Sequence, residues 1–343
     1  MRLVLLFAAL LAFQGAAASE LDDMKALADT GDVSAQYKMG VFYDKLAQTP
    51  EPNGLLHTDI LAPHNLYSFK DHDDEKRKAK ANANAWYLKA AEGGHVTSQY
   101  ILGIQGSTSW LLKAAYGGST KAQVSAGIMY LSGQEIAANP NEGIKWLSRA
   151  AGNGSSAANI ILGQIYRDGE YNIKKDLDKA VKYYSEAHNQ ADLNASFILG
   201  QLYEKGKIRD SKKSKFWYAE HANGLVRSNS TDFGGKIYYQ AAQKFDSIAK
   251  TSADDKKLLE LYKRAAQNRW RGSFVELGKL YESGRGVPRD STKALMWYEI
   301  ASARGSSQGK NHSKRLIRKL SSLEVSAAKS MAIDCRTSGY KVC

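Results

Sequence analysis

The chain has 343 residues, 43% of them hydrophobic and 24% charged, with 29 glycines against 5 prolines. That balance belongs to a globular protein with a large core and argues against a disordered chain or a multispanning membrane protein. Lys and Arg number 48 against 35 Asp and Glu, a formal charge of +13, but the two signs interleave along most of the chain. The pattern describes a solvated basic surface, and no nucleic-acid partner is expected.

Met1-Arg2, the apolar stretch Leu3 to Phe13 and the small residues up to Ser19 follow the order of a secretory leader. Cleavage after Ala18 is expected, leaving an exported chain, periplasmic or secreted. The apolar stretch falls short of the ~20 residues a spanning helix needs, so no membrane insertion is expected after cleavage.

Beyond the leader one pattern recurs: an apolar helix ending in Gly-x-x-Tyr, a glycine-containing loop, then an aromatic residue with Ala four positions on. Gly40/Tyr43, Gly127/Tyr130, Gly163/Tyr166, Gly200/Tyr203 and Gly278/Tyr281 mark the predicted first helices. Trp86, Trp110, Trp146, Tyr183, Trp217, Leu261 and Trp297 mark the second helices. Ala90, Ala114, Ala150, Ala187, Ala265 and Ala301 follow four residues later, and His221 fills that place once.

Spacings of 37 from Trp146 to Tyr183, 34 from Tyr183 to Trp217 and 36 from Leu261 to Trp297 are those of helical solenoid repeats. An aromatic residue and an alanine at i and i+4 share one helix face, where the small residue lets a neighbouring helix approach. A lone hairpin leaves that face bare, so neighbours must stack to bury it. Trp86, Trp110, Trp146, Tyr183, Trp217 and Trp297 are therefore expected in the repeat core, not on a carbohydrate-binding platform.

Residues 44–80 interrupt the pattern with Pro50, Pro52 and Pro63 and form an expected inserted loop. His57, Asp59, His64, His72, Asp73 and Asp74 supply imidazole and carboxylate there, but without a fixed ligand spacing such as His-Glu-x-x-His. No metal and no cofactor is expected. After Gly305, Leu316, Ile317, Leu320 and Leu323 at helical spacing, among Lys310, Lys314, Arg315, Arg318 and Lys319, predict a capping helix with a basic outer face. Cys335 and Cys343 are the only cysteines; in an oxidising compartment a disulfide closing the tail is expected, with two free thiols as the alternative. The organisation is thus leader 1–18, repeats 19–305 with the insertion at 44–80, and cap and tail 306–343.

These residues resemble the Sel-1-like repeat family. The copy from Phe274 to Gly305 carries nearly its whole pattern, including Gly284-Arg285-Gly286-Val287, and recognisable copies span 33 to 305. The resemblance implies an all-α, right-handed superhelical solenoid of stacked α/α hairpins, related to tetratricopeptide repeats, that binds other proteins. The chain departs from the pattern where 86 to 110 spans only 24 positions and 217 to 261 spans 44, with Ala242 and Phe245 in place of Gly and Tyr.

Catalytic motifs are weak. Gly305-Ser306-Ser307-Gln308-Gly309 reads as Gly-x-Ser-x-Gly but follows a helix instead of the strand that a nucleophile elbow requires. The Ser-x-x-Lys triplets at 307/310, 326/329 and 338/341 lack their partner motifs. Gly284-Arg285-Gly286 has neither a preceding strand nor a third glycine for phosphate binding. No catalytic residue is assigned and the protein is expected not to be an enzyme; a cell-wall hydrolase using the insertion as a metal site is the contrasting reading.

The expected partner is another protein. On the first helices the residues after Gly and Tyr form a row, Gln164 and Arg167, Gln201 and Glu204, Lys279 and Glu282, which changes charge between repeats as a surface matched to one partner would. Exported bacterial members of the family include envelope adaptors, host-interacting virulence factors and periplasmic immunity proteins that block toxic effectors such as phospholipases. The resemblance points most specifically to the immunity role for an exported basic chain without a lipid-anchor cysteine.

Overall fold

The structure, a computed structural model, describes residues 16–48, 69–205, 207–228, 234–340 and 343. Most of the expected leader and the central part of the insertion, with His57, Asp59 and His64, lie outside the described residues. Among the described residues there are seventeen α-helices and no strand. They are α1 (Ala16–Asp29), α2 (Val33–Gln48), α3 (Phe69–Glu92), α4 (Val96–Ile104), α5 (Thr108–Tyr116), α6 (Thr120–Ser132), α7 (Pro140–Gly152), α8 (Ser156–Asp168) and α9 (Leu177–Asn189). The chain continues with α10 (Leu193–Glu204), α11 (Ser211–Ser228), α12 (Gly235–Asp246), α13 (Ser252–Gln267), α14 (Arg271–Ser283), α15 (Ser291–Ala303), α16 (Ser307–Ile317) and α17 (Ser322–Thr337).

Consecutive helices pack as α/α hairpins that stack on the next pair. Two compact units result, residues 1–162 with 169–173 and residues 163–168 with 174–343. No helix among the described residues is long and apolar enough to cross a membrane.

Hairpins that keep the Gly-x-x-Tyr tyrosine are closed by the chemistry of their connection. The cap residue of the second helix returns its backbone N–H to the carbonyl of the Gly-x-x-Tyr tyrosine, Asn139 to Tyr130 at 2.8 Å, Asp176 to Tyr166 at 2.8 Å and Asp290 to Tyr281 at 2.9 Å. The cap's side chain then accepts from the first turn of that helix. Where the cap is aspartate, the lysine three residues on lies over the same tyrosine: Lys179 over Tyr166, Lys213 over Tyr203 and Lys293 over Tyr281.

Between hairpins the chain turns through one left-handed residue, for example Gly154 at φ +85°. The next N–H, that of Ser155, bonds Ala150 O at 3.0 Å. A buried glutamine on the following first helix takes a carbonyl near the end of the helix before it. Gln36 donates to Ala28 O, Gln99 to Ala91 O and Gln123 to Ala115 O at 3.2, 3.0 and 3.2 Å. Each of these carbonyls also accepts the backbone N–H of the glycine three residues on, Gly31, Gly94 or Gly118, so the glutamine takes its second lone pair and ties the next hairpin to the helix end.

The repeating glycine is the contact between the two helices of a hairpin. A Cβ on Gly40, Gly163 or Gly200 would stand 2.5, 2.8 or 2.6 Å from the ring of Tyr87, Tyr184 or Tyr218, and one on Gly278 would overlap Tyr298. Leu111 and Leu147 take the tyrosine's place against Gly103 and Gly127. The residue wedged between helices is thus one position past the aromatic that marks the repeat.

Trp146 and Trp297 are buried, at 3% and 2% exposure, whereas Trp86, Trp110, Tyr183 and Trp217 are half-buried. One residue of offset turns a helix face by about 100°, so the marker aromatics stand at the side of the hairpin seam: Tyr183 stacks on Tyr166 and Trp297 on Phe274 of their own partner helices, while Trp146 meets Tyr116 and Trp217 meets His188 of the preceding hairpin. Trp86 packs against the buried cluster of Ala28, Ala35 and Met39, and Trp146 belongs to the cluster that joins Ala115 of α5 to Ala126 of α6. Lys89, Lys113 and Arg149, three residues on, cover the rings of Trp86, Trp110 and Trp146 at 4.2, 4.1 and 4.8 Å.

The expected inserted loop is partly helical. Residues 44–48 complete α2 and 69–80 open α3, with Lys80 Nζ 2.6 Å from the Asp44 carboxylate across the hairpin. The helix-breaking prolines of the insertion all fall between these helices, in 49–68.

The expected cap is two helices, because Ser321 and Glu324 form a capping box that starts α17 afresh. Cys335 and Cys343 are joined by a disulfide. Inside the closed loop Tyr340 packs on Phe274, with ring centroids 5.2 Å apart, and accepts a hydrogen bond from Arg304 at 2.6 Å.

Candidate partner-binding face

Counting from the residue that starts each first helix, the ninth position falls on the outward side just after the glycine contact. In the N-terminal unit it holds Val41, Ile104 and Ile128; Val41 is half-buried, but Ile104 is 60% and Ile128 45% exposed. In the C-terminal unit it holds Gln164, Gln201, Gln243, Lys279 and Arg315, all exposed. Three of the row residues expected from sequence, Gln164, Gln201 and Lys279, therefore present themselves to solvent. Gln243 and Arg315 extend the row, and the apolar stretch Val41, Ile104 and Ile128 is its counterpart in the other unit.

The residue three further on behaves differently. Glu204 accepts from Tyr218 Oη at 2.8 Å within its hairpin and from Lys244 Nζ of α12 at 2.7 Å. Glu282 does the same with Tyr298 Oη at 2.9 Å and Arg315 of α16 at 2.6 Å. Both carboxylates tie a first helix to its own partner and to the next first helix. Arg167 forks onto the neighbouring Asp168, with Nε 2.9 Å from Oδ1.

The electrostatics follow from these ties. The hydrogen bond from Lys244 holds the Glu204 carboxyl below the usual carboxylate range, and burial together with Glu204 pushes the Tyr218 phenol up. Burial likewise raises Tyr298, with Glu282 adding to it. By linkage the carboxylate contribution is present above the ordinary Glu pKa and is lost as pH falls through the depressed one.

No group of three or more His, Cys, Asp or Glu side chains is placed to hold a metal among the described residues. Of the insertion's candidates, Asp74 is paired with Arg77 on α3. The Gly-x-Ser-x-Gly segment is a helix-to-helix turn: Ser306 caps α16 by accepting from the Gly309 N–H at 3.1 Å, and Gly309 packs against Ala301. Gly286 lies against the Asp255 backbone while Arg285 between the glycines bridges Asp246 and Asp255, so that loop joins α14 to the hairpin before it.

Gln243 escaped the sequence because Ala242 and Phe245 replace the glycine and tyrosine that flag the register. Ile104 escaped because Gly103 is followed by Gly106 instead of tyrosine. In both places the position counted from the start of the helix would have found them.

Comparison with known proteins places these hairpins. The sequence profile of the Sel1 repeat matches residues 33–51, 74–95, 120–155, 156–192, 193–223 and 275–306, together just over half the chain. Among solved structures, a protective antigen with an SLR fold from uropathogenic Escherichia coli is 20% identical, with 93% of this chain and 73% of that one covered and a TM-score of 0.45. A Sel1 repeat protein from Oxalobacter formigenes is 20% identical over 88% of this chain and 92% of that one, with a TM-score of 0.41. An immunity protein from Pseudomonas aeruginosa is 19% identical over 60% of this chain and 73% of that one, with a TM-score of 0.36. No curated protein sequence matches significantly. With six matched copies, and hairpins α4/α5 and α12/α13 stacked between them, the chain belongs to the Sel1 repeat family, whose repeats serve as protein–protein interaction scaffolds.

Proposed function

We propose that the protein is a non-enzymatic, exported binding protein whose first-helix row grips one partner protein, and that it serves as an immunity protein neutralising a secreted toxic effector. One observation carries the reading. The same position is exposed on successive first helices of the C-terminal unit and passes from three glutamines to a lysine and an arginine along them, while the half-buried carboxylates beside it are spent on holding the repeats together. Such a surface has its specificity written in the row and its rigidity in the ties. The leader-like N-terminus and the disulfide support an oxidising, extracytoplasmic setting.

Affinity capture from a periplasmic extract, followed by identification of the retained protein, tests it. The wild type is expected to retain one effector-class protein and to protect cells that express it. A Gln164→Glu/Gln201→Glu variant with unchanged helicity is expected to lose both. Unchanged capture by the variant would move the binding surface off the row, and an absent partner or unprotected cells would sink the immunity role. Charge reversal at Glu204 is the wrong probe, because it breaks the tie to Lys244.

A further inference from the structure

Several basic side chains in the C-terminal unit are paired locally. Lys244 goes to Glu204, Arg264 to Glu260, Lys279 to Glu276, Arg285 to Asp246 and Asp255, and Arg315 to Glu282. Lys314, Arg318 and Lys319 are exposed and form no ion pair or hydrogen bond, and with Asn311 and Arg315 they line an open basin of about 400 Å³. The nearby carboxylates are already engaged, Glu282 by Arg315 and the Tyr298 hydroxyl and Glu299 by the Ser313 hydroxyl. A helix C-terminus favours cations in its last turn, and the spacing of positions 311, 314, 315, 318 and 319 sets all five on one face of α16 and its end.

The basin continues the first-helix row. Successive first helices are neighbours: Lys244 of α12 reaches Glu204 of α10, the Tyr239 ring of α12 fills the space at Gly272 of α14, and Arg315 of α16 reaches Glu282 of α14. Gln201, Gln243, Lys279 and Arg315 are therefore consecutive rungs. Packed helices lie ~8–10 Å apart, which is about three residues of an extended chain at ~3.3 Å each. A carboxamide donates and accepts as a peptide group does, so the glutamine rungs suit a main chain and the basic rungs suit carboxylates. A phosphodiester backbone would call for cations at every rung.

We propose that this face binds an extended acidic segment of a partner protein, its main chain over Gln201 and Gln243 and its carboxylates over Lys279 and the α16 basin. The inference rests on the scaffold reading above and names the chemistry of the partner.

The probe is a fluorescent synthetic peptide of about twelve residues, Gly/Ser-rich with four glutamates at one end, against its counterpart with four glutamines. With the full chain at low ionic strength, the glutamate peptide is expected to bind at least roughly tenfold tighter, a preference that salt weakens. Lys314→Glu/Arg318→Glu is expected to abolish the preference and Lys314→Gln/Arg318→Gln to reduce it, both with wild-type circular dichroism. Gln201→Ala/Gln243→Ala is expected to weaken both peptides alike, by a few-fold. Equal binding of the two peptides, or an unchanged preference in the charge-reversed variant, overturns the proposal. So does tighter retention of phosphatidylglycerol vesicles or of a single-stranded oligonucleotide by the same lysines. If the preference fails while the wild type still captures its partner, only the acidic-segment inference falls; if capture fails while the preference holds, the scaffold reading falls.

Discussion

At the scale of single residues, one exception to the repeat carries a pH dependence. His221 stands where the other second helices place alanine, 2% exposed, with Nδ1 2.7 Å from Leu193 O and its ring against Phe197. Burial lowers its pKa, outweighing the opposing effect of the Leu193 carbonyl. Below the unfolded value near 6.5 the unfolded chain therefore takes up the proton first, and stability falls as pH drops. Thermal melts between about pH 7 and 5 are expected to show this loss, at most ~1.4 kcal/mol per pH unit from this one group. His221→Ala lowers the melting temperature at neutral pH but flattens the slope. His95 and His312, both lowered first by burial, leave a remainder. An unchanged slope in the variant would assign the acid sensitivity elsewhere.

At the scale of the hairpin, the glycine contact sets how closely two helices approach. The Tyr298 ring is buried against Gly278 and its hydroxyl is held by Glu282, so it has no room to yield to a methyl group. Gly278→Ala gains helix propensity, by roughly 1 kcal/mol, but overpacks the hairpin, which costs about 1–3 kcal/mol and strains the Glu282–Arg315 tie. Net destabilisation in urea unfolding is the expected result; a variant as stable as wild type would mean that α14 and α15 can separate without penalty. The same geometry explains why the marker tryptophans and the wedged tyrosines sit side by side in sequence. The second fills the glycine contact within its own hairpin, and the first stands beside it, against its own partner helix or the preceding hairpin.

At the scale of the whole molecule, a stack of hairpins must end on something other than another hairpin. In the C-terminal unit α16 and α17 cover the apolar side of α15, and the Cys335–Cys343 disulfide holds Tyr340 against Phe274. A loop this short contributes about 2–3 kcal/mol in the chain-entropy description of cross-links. Cys335→Ser/Cys343→Ser is expected to lower stability by that order and to raise amide exchange first in α17 and around Tyr340. Equal melting of wild type and variant would show that α17 docks without the cross-link. A compartment that reduces thiols would remove the same contribution, which ties the stability of the cap to an oxidising setting.

The helical class, the hairpin period and the paired cysteines were legible in the residues, because each is a matter of local spacing: Gly-x-x-Tyr, Ala four after an aromatic, two cysteines eight positions apart. The six segments recognised by the family profile fall on the hairpins that keep that spacing, α2 and α3 being matched separately on either side of the insertion. Hairpins α4/α5 and α12/α13 fall outside it, since Gly103 lacks its tyrosine and Ala242 replaces its glycine. Tertiary packing alone decided which row residues face solvent. Glu204 and Gln201 lie three positions apart on one helix, yet only the first meets a lysine from the next hairpin. Lys314, Arg315, Arg318 and Lys319, by contrast, share one face through helical spacing, as the sequence implied. The reason is physical: local spacing says which face of a helix is apolar, whereas the partner of a charge is set by whichever helix packs beside it, and that helix is 30 to 40 residues away in the chain.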